Sequence, residues 1–174
     1  MPIRSLTRGL IDGSLSTLGI VIGAAISGDP KIIIAAGLGG GIANSISNLL
    51  GAITAEKAGV MLNLAKYENS MVGSDIDLKD TKIYQKQKRD IWVRGMVDGL
   101  FTFFGAIIPI IPFVLLSVSD ALSWSIAITL AVLFVLGMYL GKLSKENLVW
   151  AGAKMAIFGG ITAVLASSLE MFFR

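Results

Sequence analysis

The chain has 174 residues, of which 54% are hydrophobic and 16% are charged, and its formal net charge is +3. Soluble domains carry roughly 25% charged residues, so this composition favours a membrane protein over a soluble domain. Cys and His are both absent, which excludes thiol nucleophiles, His-dependent catalytic triads and zinc held by Cys or His. We expect no enzymatic activity and no bound cofactor.

Five segments of the chain hold very few ionisable residues: 9–28, 31–54, 96–116, 121–141 and 147–169. Each reaches the roughly 20 apolar residues that a helix needs to cross a bilayer. Lipid offers the backbone no hydrogen-bond partner, so a spanning segment must be a helix or part of a closed barrel. The apolar residues are continuous and do not alternate, which predicts an all-α integral membrane protein with five transmembrane helices.

Basic residues lie beside these segments in a regular order. Arg4 and Arg8 precede the first segment, a larger group lies between the second and third, and Lys142 and Lys145 lie between the fourth and fifth. Because cytoplasmic loops collect Lys and Arg, the N-terminus is predicted to be cytoplasmic and the C-terminus to lie outside. We expect the lipid bilayer of the cell membrane, rather than an organelle membrane, as the environment, and no nucleic-acid partner.

A repeat links the first and third segments. Residues 8–23 read RGLIDGSLSTLGIVIG and residues 94–109 read RGMVDGLFTFFGAIIP. The matching positions of the first copy, at identical spacing in the second, are Arg8, Gly9, Asp12, Gly13, Gly19 and Ile22. Ser16 and Thr102 occupy equivalent positions. Each repeat crosses the membrane twice, so both enter from the same side. The chain is therefore predicted to contain two parallel helix pairs, as in some transporters, with a fifth helix added.

The polar segment between the pairs divides the chain into three parts. We predict helices 1 and 2 over 1–56, a short cytoplasmic helical hairpin over 57–92, and helices 3 to 5 over 93–174. Gly73 and Ser74 are expected to break the hairpin. The hairpin is too small to form an enzyme domain of its own.

The second segment contains two rows of small residues at four-residue spacing. One row is Gly37, Gly41 and Ser45, and the other is Ala43, Ser47 and Gly51. Small residues at this spacing let membrane helices approach closely, so both rows predict helix packing. In the third segment, Pro109 and Pro112 predict an interruption, which either forms an ion site or is a simple kink.

Asp12 and Asp98 are the candidates for transport chemistry. A charged side chain at the centre of a membrane helix costs about 2.5–3.5 kcal/mol, so it is treated as functional by default. Each aspartate also lies four residues after an arginine, Arg8 or Arg94, and a local ion pair near a helix start is the alternative. The duplication shifts the interpretation towards function, because both copies would converge near the repeat axis.

Asn44, Ser47 and Asn48 are predicted to support these aspartates. The two amides lie one turn apart on the second segment, and with the serine they offer oxygen ligands to a hard cation. Hydrogen bonding between helices is the alternative. Glu56 and Glu68 are further candidate ligands at the hairpin, where the alternative is a solvated surface.

The sequence resembles the vacuolar iron transporter family. The resemblance rests on LIDGSLSTLGIVIGA, AGLGGGIANSISNLLGA and FFGAIIPIIPF in the first three segments and on LGKLSKENLVWAGAKMAIFGGITAVLA near the end. It implies a dimer of five-helix subunits that exchanges ferrous iron or manganese for protons, with Asp12 as the aspartate of the translocation path.

The chain departs from this family at two ligands and in one domain. Asn48 stands where the family has methionine, and Gly40 where it has glutamate, while the cytoplasmic metal-binding domain is reduced to 57–92. The prediction is a homodimeric, proton-coupled transporter of divalent cations of the iron or manganese class, built around the first helix. The alternative is a non-transporting membrane scaffold or accessory subunit that kept the transporter fold.

Overall fold

A computed structural model describes residues 3–70 and 81–173, without the side chains of 68–70, 82 and 83. Within these ranges the chain forms α1 (Ile3–Ala24), α2 (Pro30–Ser70), α3 (Lys82–Ile107), α4 (Ile111–Leu115), α5 (Val118–Ser144) and α6 (Leu148–Phe173), with 3₁₀ turns at Ala25–Ser27 and Ile108–Ile110. Five spans, which are α1, α2, α3 with α4, α5, and α6, are long and apolar enough to cross a membrane. The prediction of an all-α protein with five spanning helices is confirmed for the described residues.

Local sequence signals set the ends of these helices. Gly28, at φ 66°, ends the 3₁₀ turn after α1, in the left-handed region where glycine has no steric penalty. Asp29 then accepts a hydrogen bond from the backbone N–H of Lys31 at the start of α2. Ser117 caps α5, and Lys145, at φ 57°, ends it. Short turns thus connect α1 to α2, α4 to α5, and α5 to α6.

The interruption predicted from Pro109 and Pro112 is present. The α-helix of α3 ends at Ile107, and a 3₁₀ turn leads into the five-residue helix α4. The carbonyl oxygen of Pro109 accepts a hydrogen bond of 2.8 Å from the Ser125 hydroxyl of α5. Because Ser125 is buried, this bond ties the turn to α5 and supports the kink as a packing feature.

The described parts of the predicted hairpin are continuations of α2 and α3. α2 has 41 residues, which at 1.5 Å per residue corresponds to about 60 Å, roughly twice the thickness of a bilayer core. Its last turns, like the first turns of α3, therefore extend beyond the apolar segments. The predicted break at Gly73 and Ser74 lies outside the described residues, and the division at 57–92 stays a prediction.

α1 and α3 are parallel and packed backbone to backbone. A Cβ atom at Gly13 would overlap the carbonyl oxygen of Thr102, and one at Gly105 would overlap that of Leu10. Contacts that run in the same order along both helices, from Gly9 near Asp98 to Gly13 near Thr102, establish the parallel direction. Glycine is required here because any side chain would push the two helices apart.

The other helices surround this parallel pair. α2 runs antiparallel to both and contacts α3 most extensively, while α5 and α6 form an antiparallel pair against α1. A buried apolar cluster that includes Leu18, Ile22, Ile33 and Phe113 fills the space between them. Large apolar side chains such as Leu169, which is 61% exposed, cover the outside. Such a surface is suited to lipid.

We predict that Gly13→Ala destabilises the protein by about 1–3 kcal/mol through overpacking against Thr102. Gly23→Ala is the matched control, because a Cβ atom at Gly23 meets nothing within 4 Å. The control should leave stability unchanged or raise it by up to about 1 kcal/mol through helix propensity. Thermal unfolding of the purified protein in detergent measures both, and equal stability of the two variants would contradict the packing.

Candidate functional site

The carboxylate of Asp12 lies at the centre of a polar cluster inside the spanning helices. Asn44 and Asn48 of α2 both donate hydrogen bonds from their amide Nδ2 atoms to Asp12 Oδ2, the first at 2.9 Å. They reach the same oxygen because they lie one turn apart on a helix that runs antiparallel to α1. The structure thus brings together three of the predicted ligands.

Two hydroxyl groups complete this cluster. Asn44 also donates to Ser16 Oγ at 2.8 Å, and Asn48 donates to Thr102 Oγ1 at 3.0 Å. Thr102 in turn donates to the backbone carbonyl of Asp98. Each amide therefore uses both of its N–H groups, and the network joins α1, α2 and α3. The ligand predictions omit Ser16 and Thr102, although their equivalent positions in the repeat are the signal that points to them.

Asp98 has a different environment from Asp12. Its side chain is 3% exposed and forms a bidentate ion pair with Arg8, at 3.1 Å from Nε to Oδ1 and 2.6 Å from Nη2 to Oδ2. Bidentate Arg–carboxylate pairs are among the stronger polar contacts in proteins. Use of Asp98 as a cation ligand, which the sequence predicts, would require this pair to open.

The arginines therefore pair across the bundle instead of along their own helices. Arg8 is bonded to Asp98 of α3, and Arg94 lies 3.4 Å from Glu56 of α2. The local alternative for the aspartates, an ion pair with the arginine four residues earlier, is not what the structure contains. Among the residues described, Asp12 has no ion pair of its own.

The remaining predicted ligands lie away from Asp12. Ser47 is exposed on the outer face of α2. Glu56 borders a cavity of 310 Å³ together with Arg8 and Asn63. The side chain of Glu68 lies outside the described part of the chain. Over residues 3–70 and 81–173, no group of three or more Asp, Glu, His or Cys side chains is placed to hold a metal ion.

The cluster around Asp12 has the chemistry of a site for a hard cation or a proton. A carboxylate and two side-chain amides offer oxygen ligands, which suit such cations. In the observed arrangement, the amides present N–H groups to Asp12. If each amide turns about its terminal bond, its oxygen replaces its nitrogen. The same two amides can therefore donate hydrogen bonds to the Asp12 carboxylate when no cation is bound, or contribute oxygen ligands when a cation is bound.

Comparison with known proteins identifies similar sequences over most of the chain. The sequence profile of the VIT family matches residues 53–169. An uncharacterized protein of Methanocaldococcus jannaschii is 47% identical over 170 residues, which cover 98% of this chain and 89% of that protein. The profile begins after Asn48, so it covers Asp98 but neither Asp12 nor the two amides, whereas the match to the relative extends over nearly the whole chain.

We predict that the Arg8–Asp98 pair contributes a coupling energy of about 1–3 kcal/mol in a double-mutant cycle with Arg8→Gln and Asp98→Asn. Arg8 is 61% exposed, so solvent screening keeps this below the cost of breaking a fully buried pair. The exposed pair Lys154–Glu146, at 3.6 Å, is the control and should give less than about 1 kcal/mol. Unfolding of the four variants of each cycle measures the couplings, and equal values would contradict a special role for Arg8.

Proposed function

The chain belongs to the VIT family, a family of metal ion transporters, and we propose that it carries divalent cations of the iron or manganese class in exchange for protons. Asp12 is proposed as the residue that binds either the cation or the proton. The observation that supports this is the contrast between two equivalent aspartates. Asp98 is neutralised by Arg8, whereas Asp12 is hydrogen-bonded but not ion-paired within the described chain.

A carboxylate in this position couples two fluxes by competition. Ionised Asp12 attracts a divalent cation, and protonated Asp12 does not, so the site holds one or the other. The hydrogen bonds from Asn44 and Asn48 stabilise the ionised carboxylate when neither a cation nor a proton is bound. In a low-dielectric span, an unpaired carboxylate is costly, so binding of a positive species there is favoured.

The ligand atoms that Asp12 and its neighbours offer favour a hard cation within the proposed class. Carboxylate and amide oxygens suit manganese better than they suit soft metals, and a thioether would favour the softer ones. Asn48 stands where the resemblance to vacuolar iron transporters places a methionine. This substitution supports manganese over ferrous iron as the proposed cargo.

We further propose that the protein is a homodimer that packs through α2. Its outer face exposes small residues at four-residue spacing: Ala35, Gly39, Ala43, Ser47, Gly51 and Ala55. Cβ atoms added at Gly39 and Gly51 would meet nothing within 4 Å, so this row is free for close helix packing. α1, which the sequence suggests as the dimer helix, is largely enclosed by its neighbours. Packing through α2 keeps the two Asp12 clusters close to the interface.

We also propose an orientation and a membrane for the protein. The antiparallel arrangement of α2 against α3 places Arg94 beside Glu56, and Arg8 lies at the same end of the bundle. Because basic residues favour the cytoplasmic side, this end is proposed to face the cytoplasm. We place the protein in the cell membrane.

Asp12→Asn is expected to abolish cation uptake into proteoliposomes. The amide keeps the shape of the side chain but removes the negative charge and the titratable proton. Uptake of manganese and ferrous iron would be followed with and without a proton gradient. Asp29→Asn is the matched control, since Asp29 is exposed and asparagine caps a helix as well as aspartate does.

Gradient-driven uptake that persists in Asp12→Asn would contradict the assignment of this residue. If the folded wild-type protein carries no divalent cation, the transport proposal is wrong and the scaffold alternative is favoured.

Ser47→Cys is expected to form a disulfide-linked dimer on mild oxidation in the membrane. The chain has no cysteine of its own, so any crosslink must involve the new thiol. Ser168→Cys on the exposed face of α6 is the control and should stay monomeric on denaturing gels. Crosslinking of Ser168→Cys in place of Ser47→Cys would move the interface to α6.

A further inference from the structure

A cavity of 320 Å³ lies between α2 and α3, on the side where α2 leaves its apolar segment and α3 enters its own. Its wall changes character along the helices. Ile53, Ile91 and Trp92 form the end nearer the apolar segments, whereas Lys57 and Lys88 lie farther out, with Tyr84 beyond them. The antiparallel packing of the two helices brings these lysines to one cavity.

The depth of the cavity matches the boundary of a bilayer. Along α2, the nine residues from Ile53 to Met61 span about 12 Å, at 1.5 Å for each of the eight steps between them, a distance comparable with the headgroup region and the adjoining acyl carbons. Trp92 is 53% exposed in spite of its size. Trp and Tyr are enriched at membrane–water interfaces, where an apolar ring and a polar edge are both accommodated. These features suit a cavity that opens at the level of lipid headgroups.

The two lysines lack a counterion in the described structure. Neither Lys57 nor Lys88 forms an ion pair with a described residue. Glu56, the neighbour of Lys57, is bonded to Arg94. Both lysines are exposed, and an anion placed between their ammonium groups would be attracted by both. Lysine is a regular phosphate ligand, and basic pockets between membrane helices bind acidic headgroups.

We propose that this cavity binds an anionic phospholipid, with its phosphate between Lys57 and Lys88 and an acyl chain along Ile53 and Trp92. The phosphate could belong to a lipid headgroup or be a free ion, and the apolar wall favours the lipid. A free phosphate ion would satisfy the lysines but leave the apolar end unfilled, whereas a lipid contacts both. This site is separate from the Asp12 cluster and does not depend on which ion, if any, the protein carries.

Trp92 provides a local reporter for this site. The chain has three tryptophans, so Trp124→Phe with Trp150→Phe leaves Trp92 alone. The protein would be reconstituted in zwitterionic vesicles that contain a minor fraction of brominated lipid, either anionic phosphatidylglycerol or zwitterionic phosphatidylcholine. Bromine quenches tryptophan fluorescence at short range. We expect the anionic brominated lipid to quench Trp92 more strongly at equal mole fraction.

Lys57→Gln with Lys88→Gln, in the same reporter background, should lower the relative affinity for the anionic lipid by about tenfold. Lys142→Gln with Lys145→Gln is the matched control, because it removes two exposed charges at the end of α5, outside the cavity. The control variant should keep most of the preference for the anionic lipid, since it loses only the long-range attraction between basic residues and anionic lipids.

Equal quenching of Trp92 by the two brominated lipids would overturn the proposal. An equal loss of affinity for the anionic lipid in the cavity variant and in the control variant would also overturn it. Inorganic phosphate, tested at matched ionic strength, should not displace the lipid. Displacement at millimolar concentration would assign the lysines to free phosphate and contradict the lipid site.

Discussion

The close approach of α1 and α3 is the constraint on which the rest of the structure depends. Gly9, Gly13 and Gly105 leave no room for side chains between the two backbones, so the helices lie much closer than side-chain packing would allow. At this separation, Arg8 of one repeat reaches Asp98 of the other. The pairing neutralises a carboxylate that lipid would otherwise disfavour. As a consequence, the two aspartates of the repeat cease to be equivalent.

α2 adds a network of side-chain hydrogen bonds to the α1–α3 pair. Asn44 and Asn48 use all four of their amide hydrogens on Asp12, Ser16 and Thr102. Hydrogen bonds between membrane helices average only about 0.6 kcal/mol each, so stability alone is a weak reason to place so many polar groups in apolar spans. The network can exchange N–H groups for oxygens beside a carboxylate, which is the property that the proposed ion binding requires.

Much of this architecture could be predicted from the sequence, because spans, repeat direction and helix interruption depend on composition and spacing. The association of Asp12 with Asn44 and Asn48 follows from their being the polar residues of adjacent apolar helices. Side-chain direction could not be predicted in the same way. Ser47 is next to Asn48 in sequence, but a rotation of about 100° per residue turns it to the outer face. The partner of Arg8 depends on the interhelical distance, which sequence spacing does not specify.

The two repeats place equivalent residues in different environments. Arg8 and Arg94, Asp12 and Asp98, and Ser16 and Thr102 are equivalent in sequence, yet their contacts differ. The α1 glycines Gly9 and Gly13 face α3, whereas their equivalents Gly95 and Gly99 face α2. Because α2 packs against both helices from one side, Arg8 is directed to Asp98 and Arg94 to Glu56. Two arginines thus form ion pairs with two carboxylates, whereas the direct partners of Asp12 on α2 are neutral amides. The proposed role of Asp12 depends on this difference, because a carboxylate already held in an ion pair with an arginine has little affinity left for a mobile cation.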